Sequence, residues 1–198
     1  MIFKSLPASR RSSSFLLILM VCLWGMLLRG QSLEEAGADY QIKAQHVFNF
    51  ARFTEWPSNK FPQPDSPLVI GVVGSTELVN QLDEVVRNAR INDRLVVIKH
   101  ITSTAELRRC HILFVSRSEG DHFGPILSEA RGEHILTIGE NERFLNRGGI
   151  VNFQQVGSSV IFQINLNAAR HAGLKISSKL LQLRMAQVVN AEGQIVTP

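Results

Sequence analysis

The sequence predicts an α/β fold: a three-layer sandwich with a mainly parallel sheet, helices on both faces and a C-terminal antiparallel β-hairpin at the edge. Three observations predict it. Leu68–Val73 is an unbroken apolar run, the pattern of a strand buried on both faces. Segments with apolar residues at helical spacing alternate with it and with three further strand-like runs. Near the C-terminus, two stretches rich in β-branched and aromatic residues flank Gly157-Ser158-Ser159, the pattern of a hairpin.

Taken in order, the chain opens with Lys4, Arg10 and Arg11 ahead of an apolar run from Phe15 to Leu28. That run is short for a bilayer span, which takes about 20 residues, and the pattern reads as an export signal. Residues 1–38 are therefore assigned to a signal peptide, cleaved somewhere in 30–38, and residues 39–198 to a single domain. Tyr40, Ala44, Val47, Phe48 and Ala51 recur at helical spacing, which predicts a helix from Asp39 to about Thr54. Trp56-Pro57 ends it, because the residue before a proline is pushed out of the α region. Pro62, Pro64 and Pro67 mark a linker into the strand Leu68–Val73.

Leu78, Val79, Leu82, Val85, Val86 and Ala89 then share a helical face. Leu95–Ile98 is the next strand, Thr104–Arg108 a helical turn and Ile112–Val115 a third strand. Phe123, Ile126, Leu127 and Ala130 predict another helix, and His134–Ile138 a fourth strand. Gly148-Gly149 turns the chain into Ile150–Val156, and Val160–Leu166 returns. On the return strand Val160, Phe162 and Ile164 share one face; Ile161, Gln163 and Asn165 share the other. Asn167–Ala172 reads as a helical turn closed by Gly173. Ser177 or Ser178 caps a last helix, expected from Lys179 to about Val189.

Composition narrows the function. Without residues 1–38 the chain keeps 17 basic and 15 acidic residues, a net charge of +2 with no basic run. That balance does not point to nucleic acid. Cys110 is the only cysteine beyond the signal segment, so no internal disulfide is expected, and its place beside an apolar strand predicts a buried, inert thiol. The six histidines show neither HxxxH nor HExxH spacing, so no metal site is expected. Gly71–Thr76 joins a strand to a helix but lacks the third glycine of a dinucleotide loop and the lysine of a P-loop. No serine stands in a G-x-S-x-G elbow, and Ser116 and Ser118 read best as helix caps. No catalytic residue and no cofactor are expected.

The stretch "GGIVNFQQVGSSVIFQINLNAARHAGLKISSKLLQL", Gly148 to Leu183, resembles the C-terminal signature of the YfiR family of bacterial periplasmic proteins. "YQIKAQHVFNFARFTEWP" (Tyr40–Pro57), "CHILFVSRSE" (Cys110–Glu119) and "ILTIGE" (Ile135–Glu140) fall in the order that family shows. The resemblance covers nearly all of the chain after residue 38. It implies a periplasmic, non-enzymatic repressor that binds the periplasmic sensor part of a membrane-bound diguanylate cyclase, a regulator in cyclic di-GMP signalling. Other members often carry further cysteines that pair; this chain departs from them, so a redox role is not carried over. The alternative is a periplasmic sensor module that binds a small molecule at the C-terminal ends of the strands, for another signalling partner. A homodimer is a further expected assembly.

Two sets of polar residues are the candidate partner or ligand contacts. Asn49, Arg52 and Glu55 step along one side of the first helix toward Trp56. Asn152 and Asn165 flank the hairpin, with Arg170 and His171 close behind. Arg170 carries a forked donor suited to a carboxylate or phosphate, and Trp56 offers a stacking face. The competing account is structural: Asn165 satisfies backbone at the turn and Arg170 covers the sheet edge.

Overall fold

A computed structural model of the chain describes residues 39–120, 122–157, 159–190 and 194–196. Residues 1–38, assigned from sequence to a signal peptide with its cleavage in 30–38, lie outside the described residues. Helix α1 occupies 39–52 and ends two residues before the predicted limit, because Thr54–Glu55 is drawn into a short strand, β1. The expected strands follow: β2 (Leu68–Val73), β4 (Arg94–His100), β5 (Ile112–Val115) and β6 (Leu136–Gly139), with β3 (Arg90–Ile91) as a two-residue addition. Helix α2 (Thr76–Val85) is capped by Ser75, whose side chain accepts from Leu78 N–H; α3 spans Phe123–Ala130. The hairpin is β7 (Val151–Val156) with β8 (Ser159–Asn165). Helix α4 (Leu166–His171), strand β9 (Lys175–Ile176), helix α5 (Ser178–Leu181) and strand β10 (Ala186–Val189) complete the chain.

Among the described residues one sheet has eight strands in the order β10-β8-β7-β6-β5-β2-β4-β3, and β1 pairs separately with β9. The β2–β4, β2–β5, β5–β6 and β6–β7 pairs are parallel. The α/β class stands. Two details differ from the sequence reading. The hairpin is not outermost, because β10 pairs parallel to β8 on its far side. The last predicted helix stops at Leu181, and Ala186–Val189 is strand: its main-chain groups find partners along β8, which local spacing does not reveal.

Alternation along the strands feeds two cores. Leu68, Ile70, Val72, Ile112, Phe114, Phe153, Phe162 and Ile164 face one layer, which α1, α2, α4 and α5 cover. Val69, Leu113, Val115, Ile135 and Cys110 face the other, with Phe123, Ile126 and Leu127 of α3 and Phe144. Phe144 packs against Gly139 and Gly149, where a Cβ on either would overlap its ring. Gly71 likewise leaves room for the Cys110 thiol.

That thiol is 1 % exposed, and burial pushes its pKa up to about 11. At pH 8 the reactive thiolate is then on the order of 10⁻³ of the population. A bulky maleimide is expected to label the native protein slowly and the denatured protein fast. Equal rates in the two states would place the thiol at the surface.

Candidate functional site

The polar residues marked from sequence fall in three places. At the end of α1, Arg52 and Glu55 are exposed and Asn49 is half-buried. Glu55 lies opposite Lys175 in the β1–β9 ladder, and Ser177 N–H donates to Phe53 O, so this corner is tied to the segment after α4. Trp56 donates its indole N–H to His111 O at 3.1 Å and meets the His111 ring edge-on, with centroids 5.9 Å apart. Asn152 is buried in mid-sheet between Gly139 and Gln163, and its Oδ1 has no partner among the described residues.

The third place holds Asn165, Arg170 and His171. Asn165 caps α4 by accepting from Ala168 N–H at 2.9 Å. His171 donates from Nδ1 to Asn167 O at 2.7 Å, since a carbonyl only accepts, and Arg170 donates to Asn167 Oδ1 at 3.3 Å.

Asn165 and His171 line a cavity of about 540 Å³, a size that holds a small molecule. Its apolar wall comes from Leu127 and Ala130 at the end of α3, Ile135 before β6, and Leu145 and Ile150 around the Gly148 turn. Gly148 adopts φ +93°, a conformation that favours glycine. Arg131, Arg147 and Thr137 supply polar groups that sequence reasoning missed. No periodicity marks Arg131 or Arg147, because Arg131 follows α3 and Arg147 ends a single 3-10 turn, Leu145–Arg147, too short to show one. Asn49, Arg52, Glu55, Trp56, Asn152 and Arg170 do not line the cavity.

The cavity lies at the amino end of β6, whereas open α/β sheets usually bind ligands at the carboxyl ends. Here the carboxyl ends are occupied by structural contacts. Ser118 donates to Gly74 O at 2.7 Å, and Ser116 accepts from Ser118 N–H. Glu140, just past β6, accepts from Arg117 N–H at 3.1 Å and forms an ion pair with Lys43 of α1.

The sequence pattern of the YfiR/HmsC-like family matches residues 40–184. The chain belongs to this family. The match runs from α1 to just before β10 and contains both the first-helix block and the hairpin block. No curated protein sequence matches the chain. In this YfiR/HmsC-like domain, no group of three or more His, Cys, Asp or Glu side chains among the described residues is gathered to hold a metal ion. Its most perturbed imidazole, His111, accepts from Val69 N–H and is stacked under Phe61, a structural arrangement rather than an open acid–base centre. Among the described residues no helix is long and apolar enough to cross a membrane.

Proposed function

We propose that this YfiR/HmsC-like protein is a periplasmic, non-enzymatic regulator that holds a membrane-bound diguanylate cyclase inactive by binding its periplasmic sensor part. The family match over residues 40–184 carries the reading. The outer side of α1 supports a contact surface: Ile42, Gln45, Asn49 and Arg52 follow one another at helical spacing, with Ile42 43 % exposed among polar neighbours. Asn49, Arg52 and Glu55 make up the contact, and Trp56 holds its base through His111. A second reading, a sensor module for a small ligand, is favoured by the cavity beside Asn165 and His171.

Deleting the gene is expected to raise cellular cyclic di-GMP, and the purified protein is expected to retain the sensor part of a membrane cyclase encoded beside it. Unchanged cyclic di-GMP together with no retained cyclase overturns the reading. Arg52→Ala is expected to weaken that binding by about 1–2 kcal/mol, a typical loss for a truncated contact residue, with an unchanged melting temperature. Full-strength binding by the folded variant moves the interface elsewhere, first to Asn165–His171. Trp56→Ala is expected to lower stability as well, because it removes the hydrogen bond to His111 O.

A further inference from the structure

The geometry points to the cavity beside α4 as a binding site for a small organic anion, a carboxylate or phosphate monoester carried on an apolar body. Its charge is one-sided. Arg131 and Arg147 line it, and no aspartate or glutamate does. Glu129 and Glu133, the acidic residues nearest Arg131 in sequence, are engaged by Arg108 at 3.6 and 3.5 Å. Among the described residues neither Arg131 nor Arg147 is in an ion pair. Two arginines without carboxylate partners among the described residues, both lining a concave site, match the forked recognition of a carboxylate or phosphate.

Neutral donors lie deeper. Thr137 and Asn165 are 4 % and 3 % exposed and both line the cavity. Thr137 Oγ1 accepts from Ile150 N–H at 3.1 Å, which leaves its O–H to donate. Asn165 uses its Oδ1 on Ala168 N–H, which leaves the amide NH₂ as its donor. Arg131, Arg147, Thr137 and Asn165 thus each offer donors, beside an apolar wall of Leu127, Ala130, Ile135, Leu145 and Ile150. Acceptors on the lining come from neutral side chains, His171 Nε2 and the amide oxygens of Asn146 and Asn167. A ligand that accepts hydrogen bonds at one end and is apolar at the other satisfies both halves; bare phosphate satisfies one. The assignment holds whether or not the domain binds a cyclase.

The test is calorimetry on the purified protein with octanoate, indole-3-acetate and phenyl phosphate. Each is compared with its neutral counterpart (octanol, indole-3-ethanol, phenol) and with inorganic phosphate. At least one organic anion is expected to bind about tenfold or more tighter than both its neutral counterpart and phosphate, the gain expected of charge-assisted hydrogen bonds. Whether the carboxylates or phenyl phosphate bind best identifies the headgroup. The double variant R131Q/R147Q is expected to lose that gain with an unchanged melting temperature. Asn146→Trp, at an exposed position on the rim, is expected to block binding by bulk and serves if the double variant melts early. Binding by none of the anions, a neutral counterpart or phosphate binding equally well, or unchanged binding by the folded variants overturns the proposal.

Discussion

Lys43→Met is expected to destabilise the domain by about 3–5 kcal/mol, the cost of removing one partner from a buried ion pair. Lys43 lies on the inner side of α1 and is 8 % exposed. Its ammonium pairs with Asp39 one turn earlier and with Glu140 at 2.5 Å. Burial alone pulls the Lys43 pKa down, but the hydrogen bonds and charges of Asp39 and Glu140 outweigh it and leave the pKa raised. Methionine keeps much of the stem's packing and removes the charge, so the loss reads the electrostatics. Glu140 would then retain only the Arg117 N–H, too little to offset its desolvation.

Adding Glu140→Gln is expected to recover part of the loss, since the more buried of the two stranded carboxylates goes with it while Asp39 remains. Urea unfolding of the two single variants and the double variant checks this. A loss below about 1 kcal/mol in the single Lys43 variant would mean that water reaches the pair and that α1 is held by apolar contacts alone.

Lys43 was legible as a helix residue and illegible as a buried one, because Glu140, the more buried of its two carboxylate partners, lies 97 positions further along the chain. The same division runs through the molecule. β2 and β5 were readable because a strand buried on both faces has no period to misread. The end of the chain was misread because Leu180, Leu183 and Gln187 keep helical spacing by chance. What makes Ala186–Val189 a strand is the row of main-chain groups that β8 presents. The cavity left no local signal: its charged residues follow α3 and precede the Gly148 turn, and they meet only once the sheet brings β6 beside β7. Asn165 and His171, which line that cavity, were marked from sequence because the turn chemistry between β8 and α4 is local. Trp56 was marked for its type, but its partner His111 lies 55 residues away.

His111 is also where acid should act. Val69 N–H donates to its Nδ1 at 3.0 Å, so the neutral ring carries its proton on Nε2, a buried atom with no partner among the described residues. Phe61 stacks on the ring with centroids 4.4 Å apart. Burial, then the charges of Lys60 and Arg94, push the His111 pKa down from 6.5 to about 4. Between those values the unfolded chain takes up a proton that the folded domain refuses. Stability is therefore full above pH 6.5 and falls as pH drops toward 4, by about 3 kcal/mol in all. His46, whose pKa is also lowered by burial, adds a loss of the same sign. His111→Asn keeps an acceptor for Val69 N–H and cannot take the proton, so its stability should vary less with pH across this interval. Losses from His46 and from the carboxylates remain in both proteins, and the difference between the two curves isolates His111. Melting temperatures at half-unit steps from pH 7.5 to 4 measure it. Parallel curves for the two proteins would mean that His111 becomes protonated in the folded state, and that the ring stack opens to admit water.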